Sequence, residues 1–499
     1  MTAPSNTQLG LEEVQAEEAA IREGSRLVAD AGALVAGRLG VAAVGWIGTL
    51  LIVRSLSVDE FGRFSFIFGF LGLVATVTEL GIGRLAVAGI VTRGDDAGAF
   101  AGTYVLLRGA LGLAGYAVAV VVVMAAGYPA DVVRATAVAG LVLVIATPSH
   151  AYVAVFQAHG RLRPVALGSF LGQLGQFALT AALAADGGSV LLFTIPAVIC
   201  ELVILAWHRR CARRLLELRY RVLWSTWGSL VREAIPLAIG GVLATAYYRI
   251  DSVMLSKLDT FSAVGIYGVA YKFVDVVHFV PSALMLATLP VLVRSWPHHP
   301  LQFGAAFRRA FMLLALGACL IVVEFVLFAE PVIDALYGDD YLAAAGPTLF
   351  VVGGECVAFF GALAFTTLVA SGRHRLYPFV TLLGLALNVG LNLWLIPIRS
   401  FHGAAAATLV TEIVVVALLW LALLRHRDLR PSNLGAAWWI LITGLVAAAF
   451  GAGLRQVLPW PAAAAGTGVA FLACAEVLLA TAGRGGLRSL VHGEGRVAA

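Results

Sequence analysis

The stretch HRRCARRLLELRYRVLWSTWGSLVRE, residues 208–233, is the longest polar interruption in a chain that is otherwise largely apolar. It carries seven arginines among leucine, valine and tryptophan residues, a pattern typical of a segment in the headgroup layer of a membrane. Six long apolar stretches precede it and eight follow it. The organisation of the whole chain can therefore be worked out from this segment.

Apolar stretches of about twenty residues succeed one another along the chain, and each can cross the ~30 Å hydrocarbon core of a bilayer as a helix. The composition agrees, because 60% of the residues are hydrophobic, 13% are charged and the mean hydropathy is +0.92. We therefore expect an all-α polytopic membrane protein with about fourteen transmembrane helices. The predicted spans are 31–53, 64–83, 101–126, 135–156, 164–185, 189–207, 234–256, 263–290, 307–329, 345–370, 376–396, 403–424, 436–457 and 460–481.

The basic residues fall mainly into every second gap between these spans. Because Lys and Arg accumulate on the cytoplasmic side of a membrane, the arginine-rich gaps and both termini are predicted to be cytoplasmic. Residues 1–30 are polar and rather acidic and lack the basic start of a signal peptide, so we expect them to remain in the cytoplasm. The formal net charge of +5 is explained by loops that face an anionic leaflet, and it calls for no nucleic-acid partner.

The six-helix halves on either side of the linker carry similar motifs. AHGRLR (residues 158–163) follows the fourth helix of the first half, and ASGRHR (370–375) follows the fourth helix of the second. Since six is even, both halves enter the membrane in the same direction, as in a repeat about an axis along the membrane normal. We expect two six-helix lobes and two additional helices. The predicted organisation is a tail at 1–30, an N-lobe at 31–207, the basic amphipathic linker at 208–233, a C-lobe at 234–425, the additional helices at 426–482 and a tail at 483–499.

Several longer motifs occur in a characteristic order. They are LSVDEFGRFSF (56–66), YYRIDSVML (247–255), VGIYGVAYKF (264–273), PVIDALYGDDY (331–341), ASGRHR, and NVGLNLWLIP followed by HGAAAAT (388–408). Together they resemble the polysaccharide-biosynthesis flippases of the multidrug/oligosaccharidyl-lipid/polysaccharide exporter superfamily. The resemblance covers about residues 30–425. It implies export of an undecaprenyl-diphosphate-linked oligosaccharide from the inner to the outer leaflet of a bacterial plasma membrane. A coupling cation, H⁺ or Na⁺, and glycan-assembly proteins are the expected further partners.

Three basic residues lie within predicted spans: Arg38, Arg249 and Lys272. A cation at mid-membrane costs ~2.5–3.5 kcal/mol on insertion scales, so each needs a compensating interaction. The functional interpretation is a cationic cavity that binds the diphosphate of the lipid substrate. The alternative is that carboxylates such as Asp251 or Asp275 neutralise these cations, or that their side chains extend to the interface.

Acidic and titratable residues accompany these cations. Lys272, Asp275 and His278 follow i, i+3, i+6 spacing on one helix, which suits either a hydrated cavity wall or a packed polar seam. We interpret Asp251, Asp275 and His278 as candidates for coupling or proton relay. The other intramembrane glutamates are expected mainly to be interfacial anchors or partners of cytoplasmic arginines: Glu79, Glu201, Glu324, Glu355, Glu412 and Glu476.

The sequence contains no nucleophile elbow, metal triad or Walker loop, so we expect neither an enzyme nor a protein that needs a cofactor or metal. The five cysteines lack paired spacing and are expected to be free thiols. Secondary transport is the favoured function. A multidrug antiporter remains as an alternative, for which a net acidic, aromatic cavity would be expected. A polytopic glycan polymerase or ligase would need a larger external loop, and a non-transporting scaffold leaves the intramembrane cations unexplained.

Overall fold

The computed structural model describes residues 40–79, 81–429 and 437–481, and its regular structure there is helical, with no strand. The predicted tails and Arg38 lie outside these residues. The described helices are α1 (Gly40–Ser55), α2 (Val58–Glu79), α3 (Ile82–Thr92), α4 (Ala97–Ala125), α5 (Ala130–Ala158), α6 (Arg163–Ala185), α7 (Val190–Ala212), α8 (Trp224–Leu258), α9 (Phe261–Val277), α10 (Phe279–Ser295), α11 (Pro300–Tyr337), α12 (Ala345–Ala370), α13 (Tyr377–Arg425), α14 (Ala437–Val457) and α15 (Trp460–Thr481).

Two predicted membrane crossings are each built from two consecutive helices. The α2–α3 crossing is interrupted at Gly81, whose φ of 66° is a left-handed conformation that glycine adopts without steric cost. The α9–α10 crossing is interrupted at His278. The ring of Pro281 explains the second break, because a proline at this position has no N–H for the carbonyl of Val277.

Helix α13 contains two crossings rather than one. Its helical backbone is broken at Ser400, where φ is 53° and ψ is −138°. The arms on either side run antiparallel, since a Cβ on Gly384 of the first arm would lie 2.6 Å from Cγ2 of Val415 on the second. With this division, the described helices account for thirteen of the fourteen predicted crossings and for residues 40–53 of the first.

Backbone contacts group the described residues into two compact units, of which unit 1 comprises those within Met1–Ile52, Gly81–Val118 and Ala137–Arg232. Its linker is non-helical between Arg213 and Leu223 and runs across the start of α4. The backbone N–H of Arg219 donates to the carbonyl of Gly98 (3.0 Å), and Oγ1 of Thr103 donates to the carbonyl of Arg221 (2.6 Å). A Cβ on Gly98 would lie 2.1 Å from the carbonyl oxygen of Glu217, so glycine permits this close approach.

Unit 2 comprises Val53–Leu80, Ala119–Thr136 and Glu233–Ala499. Helix α2 therefore groups with helices of the second half, although the sequence places it in the N-lobe. The reason is a close crossing with α9. A Cβ on Gly62 would lie 1.7 Å from the carbonyl oxygen of Phe261, and a Cβ on Gly265 would lie 2.3 Å from that of Val58. Only glycine lets these two backbones come so close together.

The start of α2 is fixed by a capping interaction between neighbouring residues. Glu60 accepts hydrogen bonds from the backbone N–H and the hydroxyl of Ser57 (3.0 and 2.8 Å), the pairing of a helix capping box.

Helices α14 and α15 pack on α11 through a buried apolar cluster. Its core members are Met312, Leu316, Ile440, Ala447, Phe471 and Ala475.

Candidate functional site

A cavity of about 710 Å³ lies within unit 2, lined by residues of α2, α8, α9, α10, α12 and both arms of α13. Its wall combines charged and aromatic side chains at the depth of the membrane-spanning helices. The charged and titratable lining residues are Arg249, Asp275, His278, Glu355 and Glu412. Tyr247, Tyr248, Phe365 and Tyr377 supply the aromatic surface. The structure therefore brings three residues predicted for the site, Arg249, Asp275 and His278, into one cavity.

Arg249 and Asp275 face each other between α8 and α9. Nη2 of Arg249 lies 3.8 Å from Oδ1 of Asp275, and the hydroxyl of Tyr248 donates to the same oxygen at 3.3 Å. Both charged side chains are more than a third exposed, at 38% and 37%. Arg249 makes no hydrogen bond to any residue that the structure describes. Its N–H donors are thus available to a ligand in the cavity.

His278 and Glu355 form a second pair across the cavity wall. Nδ1 of His278 and Oε1 of Glu355 are 2.8 Å apart, and Glu355 is only 8% exposed. His278 lies at the break between α9 and α10, which explains why its ring is accessible while the neighbouring Val277 is buried. The helix break therefore positions this imidazole for the carboxylate on α12.

Glu412 occupies the middle of the second arm of α13. Its Oε1 accepts a hydrogen bond of 2.7 Å from the hydroxyl of Tyr247 on α8. No basic side chain among the described residues lies within ion-pairing distance of this carboxylate. Glu412 therefore has a neutral partner, whereas Asp275 has Arg249 and Glu355 has His278.

Asp251 lies apart from the cavity lining, although the sequence grouped it with Asp275 and His278. It is 1% exposed, and its Oδ2 accepts hydrogen bonds from Tyr267 (2.7 Å), Tyr271 (3.1 Å) and Thr408 (2.6 Å). Its Oδ1 has no donor among the residues described. The observed arrangement is a packed polar node that joins α8, α9 and the second arm of α13.

Lys272 also differs from its sequence neighbours in position. It is partly buried, does not line the cavity, and has no ion pair within 4.0 Å among the described side chains. Asp275, one helical turn later, pairs with Arg249 instead. Arg38, the third predicted cation, lies outside the described residues.

The sequence interpretation missed Glu355 and Glu412 as cavity residues and treated them as anchors or partners of arginines. The available signal was their position, since each is a single carboxylate near the middle of an apolar span. Because of them, the described lining has mixed charge rather than the cationic character expected from the sequence. Among the described residues, no group of three or more His, Cys, Asp or Glu side chains is placed to hold a metal ion.

The apolar helices define a multi-pass membrane protein. A family model described as "Polysaccharide biosynthesis protein" matches residues 27–296, more than half of the chain, and the MatE model matches residues 236–394. The chain therefore belongs to the polysaccharide biosynthesis protein family. No curated relative matches the sequence.

Solved structures share the fold at low sequence identity. The lipid II flippase MurJ in an inward closed conformation aligns with 90% of this chain and 99% of its own, with a TM-score of 0.72 and 12% identity. An inward-facing MATE multidrug transporter covers 79% of this chain and 96% of its own, with a TM-score of 0.65 and 14% identity. A superfamily transporter from Pyrococcus furiosus, described as having a binding pocket of reverse polarity, gives the same coverages and identity with a TM-score of 0.52.

Proposed function

We propose that this protein flips an undecaprenyl-diphosphate-linked oligosaccharide from the inner to the outer leaflet of a bacterial plasma membrane, with both termini in the cytoplasm. Transport is secondary and proceeds by alternating access. The observation that carries the proposal is the large cavity with charged side chains among the membrane-spanning helices, in a chain of the polysaccharide biosynthesis family, with an arginine that makes no hydrogen bond to the described residues. A diphosphate in the membrane needs such donors, because hydrocarbon supplies none.

Arg249 is the central residue of this proposal. Its planar guanidinium can bind two phosphate oxygens at once, which the ammonium group of a lysine cannot reproduce. Lys272 lies on the neighbouring helix α9 outside the cavity lining, and it would add positive charge at longer range. Arg249 and Lys272 would together offset part of the charge of the diphosphate, and Arg38 stays a predicted further cation outside the described residues.

Coupling to a cation gradient follows from the pairing of Arg249 with Asp275. A proton or sodium ion at Asp275 would compete with Arg249 for the carboxylate and free the guanidinium for the phosphate. The His278–Glu355 pair would complete the candidate relay in the same unit, whereas the buried Asp251 belongs to the polar node outside the cavity lining.

The test compares Arg249→Ala and Arg249→Lys with Arg455→Ala in reconstituted vesicles. Arg455 is a matched control, because it lies in the last turn of α14 and donates to the carbonyl of Leu327 outside the cavity (2.6 Å). Flipping is followed by the access of an added glycosidase to a labelled lipid-linked oligosaccharide.

We expect Arg249→Ala to lower the rate by at least about tenfold, equivalent to about 1.4 kcal/mol. Arg249→Lys should retain part of the rate. Wild-type flipping by Arg249→Ala at normal abundance would rule out Arg249 as the phosphate-binding residue.

A multidrug antiporter is the second candidate, and the carboxylates of the cavity favour it. Three carboxylates and four aromatic rings in one cavity suit an organic cation. The same vesicles distinguish the candidates when they are loaded with ethidium in place of the lipid-linked oligosaccharide. Gradient-driven ethidium transport without glycan-lipid flipping would replace the flippase proposal with this one.

A further inference from the structure

We infer that the carboxylates of the cavity select the charge of the glycan: the site takes neutral or amino sugars and disfavours uronic and other acidic sugars. This inference rests on the proposed flippase function and concerns the part of the substrate that follows the diphosphate. Glu412 is its main specificity-determining residue.

The three carboxylates of the cavity each keep one oxygen available. The protein donors use Oδ1 of Asp275, Oε1 of Glu355 and Oε1 of Glu412. The second oxygen of each has no hydrogen-bond donor among the described residues and is not fully buried. A carboxylate oxygen of this kind accepts a hydrogen bond from a sugar hydroxyl or an ammonium group. The ionised carboxylate of an acidic sugar has no hydrogen to donate, so it forms no hydrogen bond with these oxygens.

The aromatic residues of the cavity fit the other surface of a sugar. The rings of Phe365 and Tyr377 lie 4.0 Å apart between centroids at the cavity wall. A sugar ring presents hydroxyls at its edge and C–H groups on its faces, so one face can pack on such rings while the edge meets carboxylates. A pocket with an apolar wall and a few convergent polar groups is the usual form of a small-molecule site.

Charge balance identifies Glu412 as the residue that discriminates between neutral and acidic sugars. Arg249 offsets Asp275 and His278 faces Glu355, but the hydroxyl of Tyr247 leaves the charge of Glu412 uncompensated. Because Arg249 is engaged by the diphosphate in the loaded state and His278 faces Glu355, no other arginine or lysine of the described lining remains for a second anion nearby. An uncompensated charge repels an anionic ligand strongly when water is partly excluded.

The experiment measures binding to the purified protein in nanodiscs. The probes are undecaprenyl diphosphate alone and its conjugates with three disaccharides, in which the second sugar is galactose, galactosamine with a free amine, or galacturonic acid. For the wild type we expect the galacturonic acid conjugate to bind at least about tenfold more weakly than the galactose conjugate, about 1.4 kcal/mol. Glu412→Gln should reduce this difference to about threefold or less.

Glu324→Gln is the matched control, because Glu324 is also a carboxylate within a membrane-spanning helix of unit 2 but lies against Gly468 of α15 and outside the cavity lining. It should keep the wild-type discrimination. Equal binding of the galactose and galacturonic acid conjugates to the wild type overturns the inference, and this measurement needs no variant. Full discrimination in Glu412→Gln removes Glu412 from the selective role. Failure of every diphosphate probe to bind overturns the proposed function itself.

Discussion

Asp251 and Asp275 are both intramembrane aspartates, yet their surroundings predict different roles. Asp251 is fully enclosed and accepts three hydroxyl hydrogen bonds, whereas Asp275 is 37% exposed toward the cavity beside Arg249. A buried acceptor shared by several donors maintains packing. A half-exposed carboxylate beside a cation can exchange partners without disturbing its neighbours.

We predict that Asp251→Ala lowers the stability of the folded protein and that Asp275→Asn does not. Removing Asp251 leaves buried hydroxyls without their acceptor, at about 1–3 kcal/mol for each one that stays unsatisfied. Thr408 retains its bond to the carbonyl of Ala404 and its Oγ1 can accept from the hydroxyl of Tyr267 at 3.2 Å, so the cost falls mainly on Tyr271. The measurement is thermal unfolding of purified protein in detergent, together with membrane abundance.

Asp275→Asn should instead give normal abundance with flipping that no longer responds to an imposed ion gradient. Gradient-dependent flipping by this variant would remove Asp275 from the coupling mechanism. An unfolding temperature for Asp251→Ala equal to that of the wild type would show that the polar node is not structural.

At the same scale, sequence reasoning identified part of the cavity lining. Arg249, Asp275 and His278 were recognisable because ionisable residues are rare in apolar spans. Glu355 and Glu412 carry the same signal but were interpreted as anchors, since the sequence does not show which way a helix faces. The separation of Asp251 from Asp275 depends on the packing of α8, α9 and α13 and could not be derived from spacing along one helix.

At the scale of helices, the crossing of α2 and α9 depends on glycine. We predict that Gly62→Ala disrupts it, because the new Cβ would lie 1.7 Å from the carbonyl oxygen of Phe261, a backbone atom that cannot rotate away. Gly69→Ala is the control within the same helix, since no atom lies within 4 Å of its Cβ position. Thermal unfolding should show a large loss for Gly62→Ala, and a change of at most about 1 kcal/mol, in the stabilising direction, for Gly69→Ala. Equal stability of the two variants would contradict the close crossing.

Hydropathy alone does not locate the breaks within the membrane-spanning helices. Hydropathy places a continuous apolar stretch at 263–290, but Pro281 interrupts its hydrogen bonding and exposes His278 to the cavity. Conversely, the two predicted spans 376–396 and 403–424 are joined in helix α13, which is nearly continuous. The chain reverses its direction only at the backbone around Ser400. Composition identifies the membrane segments, whereas single prolines and backbone angles decide how they are divided.

At the scale of the whole molecule, the charge bias predicts that the linker faces the cytoplasm. The seven arginines of residues 208–233 resist translocation, so a cysteine at the exposed position Ser225 should not react with an impermeant maleimide added to intact cells. A cysteine at Ser189, which is exposed in a short loop on the predicted external side, should react. Both changes are made in a variant that lacks the five native cysteines. Efficient external labelling at Ser225 would reverse the orientation of the chain.

The number of membrane crossings was predictable from the sequence, since length and hydropathy determine it, but the grouping of helices was not. Contacts such as that between Gly62 and Gly265 join residues far apart in the chain, and the sequence around either glycine does not predict which residue it contacts. The duplicated motifs indicated two halves without showing that α2 packs with helices of the second.

The α2–α9 crossing also has a consequence for the order of events during synthesis. Roughly 200 residues separate Gly62 from Gly265. At about 5–20 residues per second, the ribosome delivers α9 some 10–40 s after α2. Throughout that interval the glycine face of α2 has been inserted without its partner. The growing chain therefore passes through a stage in which this face must be occupied by lipid or by an insertion factor, and a pause in translation within the linker would prolong it.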